Sequence, residues 1–231
     1  MQAKPHPILM GILNVTPDSF SDGGLFASPK DAVGHGLKLI EEGADIVDVG
    51  GESTRPGSRS VDEEEEKRRT IPVIEELAKR ADTTISIDTV KPSVAKAAID
   101  AGATIINDVS MLRFGDELAR IASSAKCELI LMHSRKKPAD MQENISYTDV
   151  VKEVNNELIE AAKKAEAAGV DGSKIWLDPG IGFAKTASHS LAVLGGLDET
   201  VSLGYRVMVG PSRKSFIGEI TGADVSNRLG G

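Results

Sequence analysis

Thr84-Ile-Ser-Ile-Asp88, Pro92-Ser-Val-Ala-Lys-Ala-Ala-Ile-Asp-Ala101 and Thr104-Ile-Ile-Asn-Asp108 follow one another within residues 84–108. Two β-branched runs, each ending on a carboxylate, flank a helix-forming stretch with proline at its first position. Strand, helix, strand in that order requires parallel pairing through a helical crossover. Working outward, the same rhythm covers nearly the whole chain. Strands are predicted at Ile8–Leu13, Ala44–Val49, Glu128–His133, Lys174–Asp178 and Arg206–Gly210. Helices are predicted at Pro29–Glu42, Val61–Arg80, Asp116–Ser123 and Tyr147–Ala168, with further helical segments around His189–Leu197 and from Ser212. Ser28 caps the first helix ahead of Pro29, and the acidic run Asp62–Glu66 sits at the positive end of the second helix dipole.

Seven such units in series make a parallel sheet, either closed as a (β/α)8 barrel or open and doubly wound. The carboxyl ends of the predicted strands decide between the two. They carry Asn14, Asp48, Glu52, Asp88, Asn107, Asp108, His133, Asp178 and the Ser212-Arg-Lys214 turn. An open sheet gathers polar groups at one switch point, whereas a barrel lines its whole C-terminal rim. The expectation is an α/β TIM barrel forming one domain over residues 1–231. Its eighth βα unit is expected to be missing, because Thr221–Gly231 is too short to supply one.

Bulk properties exclude several classes. A chain of 231 residues with 40% hydrophobic content can bury a sizeable core. A formal net charge of −8 argues against nucleic acid or an anionic membrane as partner. The one cysteine, Cys127, suits a reducing compartment, and neither a signal-peptide core nor a membrane-length apolar run is present. A cytoplasmic, soluble protein is expected.

Four segments carry the chemistry. The loop Asn14-Val-Thr-Pro-Asp-Ser-Phe-Ser-Asp-Gly-Gly24 mixes amide, hydroxyl and carboxylate groups with Phe20, a combination able to reach a metal ion, a phosphate and a flat ring at once. Glu52-Ser-Thr-Arg-Pro-Gly57 brings hydroxyls and Arg55 to a loop that can close over a diphosphate and its metal or serve as a plain turn. Asp88, Asp108 and Asp178 at strand ends, with Asn107, suit a heterocycle bearing an exocyclic amine and a ring N–H, since a carboxylate accepts two parallel donors. Gly210-Pro-Ser-Arg-Lys-Ser215 presents cations and hydroxyls near a helix start, a setting for an anion. Met132 either lines a ring pocket or simply packs. Gly180–Thr186 lacks the spacing of a P-loop, and neither zinc-ligand spacing nor a Ser-His-Asp arrangement stands out.

Together these blocks resemble the dihydropteroate synthase family from Met10 to about Leu229, most specifically in Asn-Val-Thr-Pro-Asp-Ser-Phe-Ser-Asp-Gly-Gly and Glu-Ser-Thr-Arg-Pro-Gly, with support from Asp178-Pro-Gly-Ile-Gly-Phe183 and Ser212-Arg-Lys-Ser215. The resemblance implies a transferase that joins 6-hydroxymethyl-7,8-dihydropterin diphosphate to p-aminobenzoate, releasing pyrophosphate in folate biosynthesis, and so a sulfonamide target. It implies a pterin-diphosphate site at Thr54, Asp88, Asn107, Met132, Asp178, Gly210 and Lys214. It implies an amine site at Phe20, Arg55, Pro56, Phe183 and Ser215, Mg2+ held by Asn14, and catalysis by Asp88, Lys214 and Asp22. It also implies a homodimer, and mobile loops at 16–27 and 52–60. Ala184 stands where the family usually has glycine and Ser134 where an apolar residue is common. The family's later Arg-x-His motif has no counterpart here. The alternatives are a methyltetrahydrofolate–corrinoid methyltransferase and a pterin binder without turnover.

Overall fold

The computed structural model describes residues 7–16, 29–53, 60–136 and 145–230. Ser28 and most of both loops expected to be mobile lie outside the described residues. Seven strands, β1 (Met10–Asn14), β2 (Ile46–Gly50), β3 (Thr84–Asp88), β4 (Ile105–Asp108), β5 (Glu128–Met132), β6 (Ile175–Asp178) and β7 (Arg206–Val207), pair in parallel in the order 1-2-3-4-5-6-7. Between them run α1 (Pro29–Glu41), α2 (Glu63–Arg80), α3 (Pro92–Asp100), α4 (Glu117–Ala125), α5 (Val150–Ala167), α6 (Ala187–Gly195) and α7 (Leu197–Val201), and α8 (Ser215–Thr221) follows β7. Consecutive helices pack on one another, α1 on α2, α2 on α3, α3 on α4 and α5 on α6. Sequential strand order with right-handed crossovers puts every helix on one face, so the sheet curls and the doubly wound alternative is excluded.

Local chemistry sets the boundaries. Asp62 caps α2 by accepting from Glu65 N, and the four glutamates of its first turn meet the helix dipole there. Asp149 caps α5 in the same way through Lys152 N. The predicted His189–Leu197 helix is two short helices meeting at Gly196, and the predicted Arg206–Gly210 strand pairs only over Arg206–Val207. Beyond Val207 the chain turns into the glycine-proline segment, where proline offers no N–H to a ladder.

The period-two pleat sorts the strand residues between two cores. Val47, Val49, Ile85, Ile87, Ile106, Leu129, Leu131, Ile175 and Leu177 face the helices and join one large buried cluster. Ile46, Ile105, Ile130 and Trp176 form a second cluster inside the curl, with Met10 and Met208 against it. One pleat further up the same inner face come Asp48, Ser86, Asn107, Met132 and Asp178. Apolar side chains thus plug the lower interior, and polar ones sit immediately above, toward the C-terminal rim.

Candidate active site

Strand register aligns the rim. Asn14 pairs with Gly50, Gly50 with Asp88, and Asp88 with Asn107, while Met132 pairs with Asp178. Gly50 leaves room at the centre of the row: a methyl built there would lie 3.6 Å from Asp88 Oδ2 and 3.7 Å from Asn14 Oδ1. Those two oxygens therefore converge over one bare backbone position.

Asn107 is 5% exposed and donates from Nδ2 to Asp48 Oδ2 at 3.0 Å. Asp48 thereby fixes the orientation of the amide, leaving Asn107 Oδ1 buried as an acceptor with no partner among the described residues. Burial raises the Asp48 carboxyl above its ordinary range, an effect its hydrogen bond to Asn107 partly offsets. Asp88 is pushed well above that range, first by burial and then by Asp48, Glu66, Asp108 and Glu52, all of the same sign. Asp178, buried on β6, accepts from Gly180 N at 2.7 Å through Oδ1; burial raises its carboxyl, while that hydrogen bond and the charges of Lys214 and Lys185 oppose the rise. Burial pulls the Lys214 ammonium down, with Asp178 opposing.

The cationic side of the pocket is organised around Phe183. Lys214 Nζ lies 4.1 Å from the centre of the Phe183 ring, a cation–π contact that joins the turn after β6 to the turn after β7. Ser215 opens α8 and is exposed, as is Gly210 before it, and Met132 is buried beside Asp178 on the next strand. Asp88, Asn107, Met132, Asp178, Phe183, Gly210, Lys214 and Ser215 thus come from the same rim. Phe20, Asp22, Thr54, Arg55 and Pro56 lie outside the described residues. The chain on either side of residues 54–59 is tied down by Glu52, whose carboxylate accepts from Val61 N and from Lys91 Nζ, and Lys91 also pairs with buried Glu66.

One expectation is overturned. Asp108 belongs to no ligand pocket: it is 0% exposed, and its oxygens accept from Ser110 N, Ser110 Oγ and Leu112 N at 2.8, 2.6 and 2.6 Å. Neighbouring strand residues point to opposite faces, so with Asn107 inward Asp108 must face the helices, where it clamps a turn in which Met111 and Leu112 have positive φ. Conversely, Asp48 was not singled out, although an ionisable residue within the apolar run Ile46–Val49 is an available signal. Lys185 and His133 were also passed over as functional groups. Among the described residues no three His, Cys, Asp or Glu side chains converge as a metal site. Asn14 Oδ1 and the nearby Asp88 carboxyl are nonetheless oxygen donors, the type Mg2+ takes when substrate phosphates complete its shell.

An acceptor-lined rim above the plugged interior of a curled parallel sheet, with lysines on the facing side, defines a class: the chain belongs to the pterin-binding enzymes, matching that family over residues 10–231. Within the class it falls among the dihydropteroate synthases. The dihydropteroate synthase of Escherichia coli (strain K12) is 47% identical over 226 residues, 98% of this chain and 80% of that protein. The Xanthomonas albilineans dihydropteroate synthase with 4-aminobenzoic acid is similar with a TM-score of 0.90 at 45% identity, over 97% of this chain and 80% of the other. The same organism's enzyme in complex with 7,8-dihydropteroate gives 0.85 at 42% identity, again over 97% and 80%.

Proposed function

We propose that this chain condenses 6-hydroxymethyl-7,8-dihydropterin diphosphate with p-aminobenzoate, forming 7,8-dihydropteroate and pyrophosphate. The observation that carries the reading is Asn107 Oδ1, a buried acceptor oriented by Asp48 and left without a donor, on the same rim as Asp88 and Asp178. A flat ring edge with an amine and adjacent N–H groups supplies the missing donors. Asp178 accepts from the amine and ring N–H, Asn107 serves the neighbouring edge, Met132 lines the ring, and Lys214 donates toward its carbonyl. Phe183, held by Lys214, and Ser215 form the described part of the amine pocket; Phe20, Arg55 and Pro56 complete it in this reading, and Thr54 and Asp22 attend the diphosphate.

The charges that act most on Asp88 are other carboxyls, so positive charge developing at the pterin methylene favours its ionised form more in the transition state than in the ground state. No covalent intermediate is required. The residues around Asn14 fit Mg2+, which when bound supplies charge to stabilise the departing diphosphate.

The finer architecture belongs to the same reading: a (β/α)8 barrel of one domain, whose eighth unit would lie between β7 and β1. Its support is the exposure of apolar Leu9 and Ile12 near or on β1, at 56% and 54%, and of Val209 after β7, at 37%. Assembly as a homodimer is supported by exposed Leu191, Val201 and Ile220 on α6, α7 and α8, at 48%, 57% and 54%. A cytoplasmic location fits the charge and the lone cysteine; among the described residues no helix is long and apolar enough to cross a membrane.

Incubation with pterin diphosphate, p-aminobenzoate and Mg2+ tests the function. Pyrophosphate release is the expected result. Tight binding without release identifies a binder, and methylation of a corrinoid identifies a methyltransferase; either overturns the assignment.

A further inference from the structure

Beneath Asp178 and Phe183 lies a buried chain of charge that the proposed chemistry leaves unused. Lys185 is 2% exposed and His133 is 0% exposed. Lys185 Nζ lies 2.9 Å from His133 Nδ1 and donates to the Phe183 carbonyl at 3.2 Å. His133 Nε2 lies 3.0 Å from Glu157 Oε2 on α5, and Glu157 Oε1 takes the Arg135 guanidinium. An ammonium only donates, so Nδ1 accepts and Nε2–H donates to Glu157, which makes His133 a neutral imidazole linking a buried cation to a partly exposed anion. Burial lowers the His133 pKa, in keeping with that form.

The same histidine grips the pterin side through its backbone. Its N–H donates to the Asp178 carbonyl at 2.8 Å, and its own carbonyl occupies the space a side chain on Gly180 would need. The charged groups that face Lys185 are Asp178 from β6, Glu157 from α5, Arg135 from the segment after β5 and Lys214 ahead of α8; Asp178 acts on it most strongly. Asp178 uses Oδ1 for Gly180 N, which leaves Oδ2 as the second acceptor of the carboxylate.

We propose that Lys185 is a positioning residue for the pterin ring: held by His133 and the Phe183 carbonyl, its ammonium keeps Asp178 charged and leaves that carboxylate's open edge to the ring's N–H donors. The proposal rests on the pterin reading of the pocket. A cation that hydrogen-bonded Asp178 directly would consume the edge the ring needs, whereas one held to the side supplies charge and leaves the edge vacant. Burial brings the Lys185 pKa down to about 7, so this charge is present below that pH and lost above it.

The test is calorimetric titration of the full chain with 6-hydroxymethyl-7,8-dihydropterin diphosphate and Mg2+, at about pH 6 and about pH 8.5. Lys185→Met, which keeps the stem and removes the charge, is expected to bind about tenfold more weakly at the lower pH and within about twofold of the unsubstituted chain at the higher. Lys214 and Asp178 titrate in both proteins, so the difference between the two curves isolates Lys185. Glu157→Gln, at a partly exposed site, removes the anion across the imidazole and should move the pH-dependent fall in affinity to lower pH. A merely structural lysine predicts equal losses at both pH values, tracking a lower melting temperature, and no shift for Glu157→Gln; that result overturns the proposal. If the unsubstituted chain does not bind the pterin diphosphate, the functional assignment fails first. Normal binding with superimposable curves for Lys185→Met overturns the role of Lys185 alone.

Discussion

The wall formed by β2, β3 and β4 gathers carboxyls, with Lys91 at its edge taken up by Glu52 and Glu66, whereas the wall formed by β5, β6 and the turn after β7 sets one carboxylate among lysines. Among the described residues the charges that act most on Asp88, those of Asp48, Glu66, Asp108 and Glu52, raise its pKa, whereas those of Lys214 and Lys185 lower that of Asp178. Both carboxyls contend with burial, so the difference lies in company rather than depth. Asp178 is equipped to be an anion before substrate arrives and to anchor a donor edge. Asp88 gains from ionising only when positive charge appears beside it.

That contrast is broken most directly by neutralising each carboxylate. Asp178→Asn should cost about a hundredfold or more in pterin affinity, since charge-assisted hydrogen bonds contribute roughly 1.5–3 kcal/mol each. Asp88→Asn should leave affinity within about threefold and lower kcat by roughly 10²–10³, the scale for losing a transition-state electrostatic contact. Binding and steady-state kinetics on both variants decide; equal effects on Kd and kcat for the two would erase the distinction. Gly180→Ala attacks the Asp178 wall through its backbone. Gly180 has φ +65, and the added methyl would overlap the His133 carbonyl. A loss of roughly 3 kcal/mol is expected, or about 6–12 °C in Tm.

Stability against pH sharpens the same contrast. Asp88 in the folded protein holds its proton at pH values where the unfolded chain has released it, so stability falls as pH rises from about 4 through its raised native value. Lys185 does the opposite: between about 7 and the ordinary lysine value of ~10.4 the unfolded chain holds the extra proton, and stability rises with pH. Asp88→Asn should flatten the first slope and gain about 1 kcal/mol near pH 8, and Lys185→Met should flatten the second, both read by urea denaturation across pH. The smallest effect concerns Ala184, which has φ +48 and is 3% exposed. Glycine there relieves about 1 kcal/mol of left-handed strain but loses a buried methyl and frees the unfolded chain, so Ala184→Gly should shift Tm by no more than about 2 °C.

The sequential order of the curled parallel sheet was legible because strand and helix alternate without interruption from Ile8 to Val207, and because polar residues end nearly every strand. Asp108 was misjudged although the information was present: adjacent strand residues cannot both face inward, and Asn107 already did. Asp48 shows the converse, since its position two residues before Gly50 places it on the inner face. The Lys185–His133–Glu157 chain was less accessible, because it depends on α5 lying against the end of β5, a long-range packing that no local periodicity reports. The early end of β7 reflects the turn chemistry of Gly210-Pro211 prevailing over an apolar run.

Strand order also has a temporal meaning. Each strand pairs with the one made just before it, from Ser86 with Ile105 at the shortest separation to Leu129 with Ile175 at the longest. Loop-closure entropy grows slowly with such distances, and a chain synthesised from its N-terminus can dock each unit as it emerges. That order lets Asp48, Asp88, Asn107 and Glu66 come together before Lys185 and Lys214 are made. The carboxyls of the early half thus meet first with Lys91, which pairs with Glu52 and Glu66, and the lysines of the opposite wall join later.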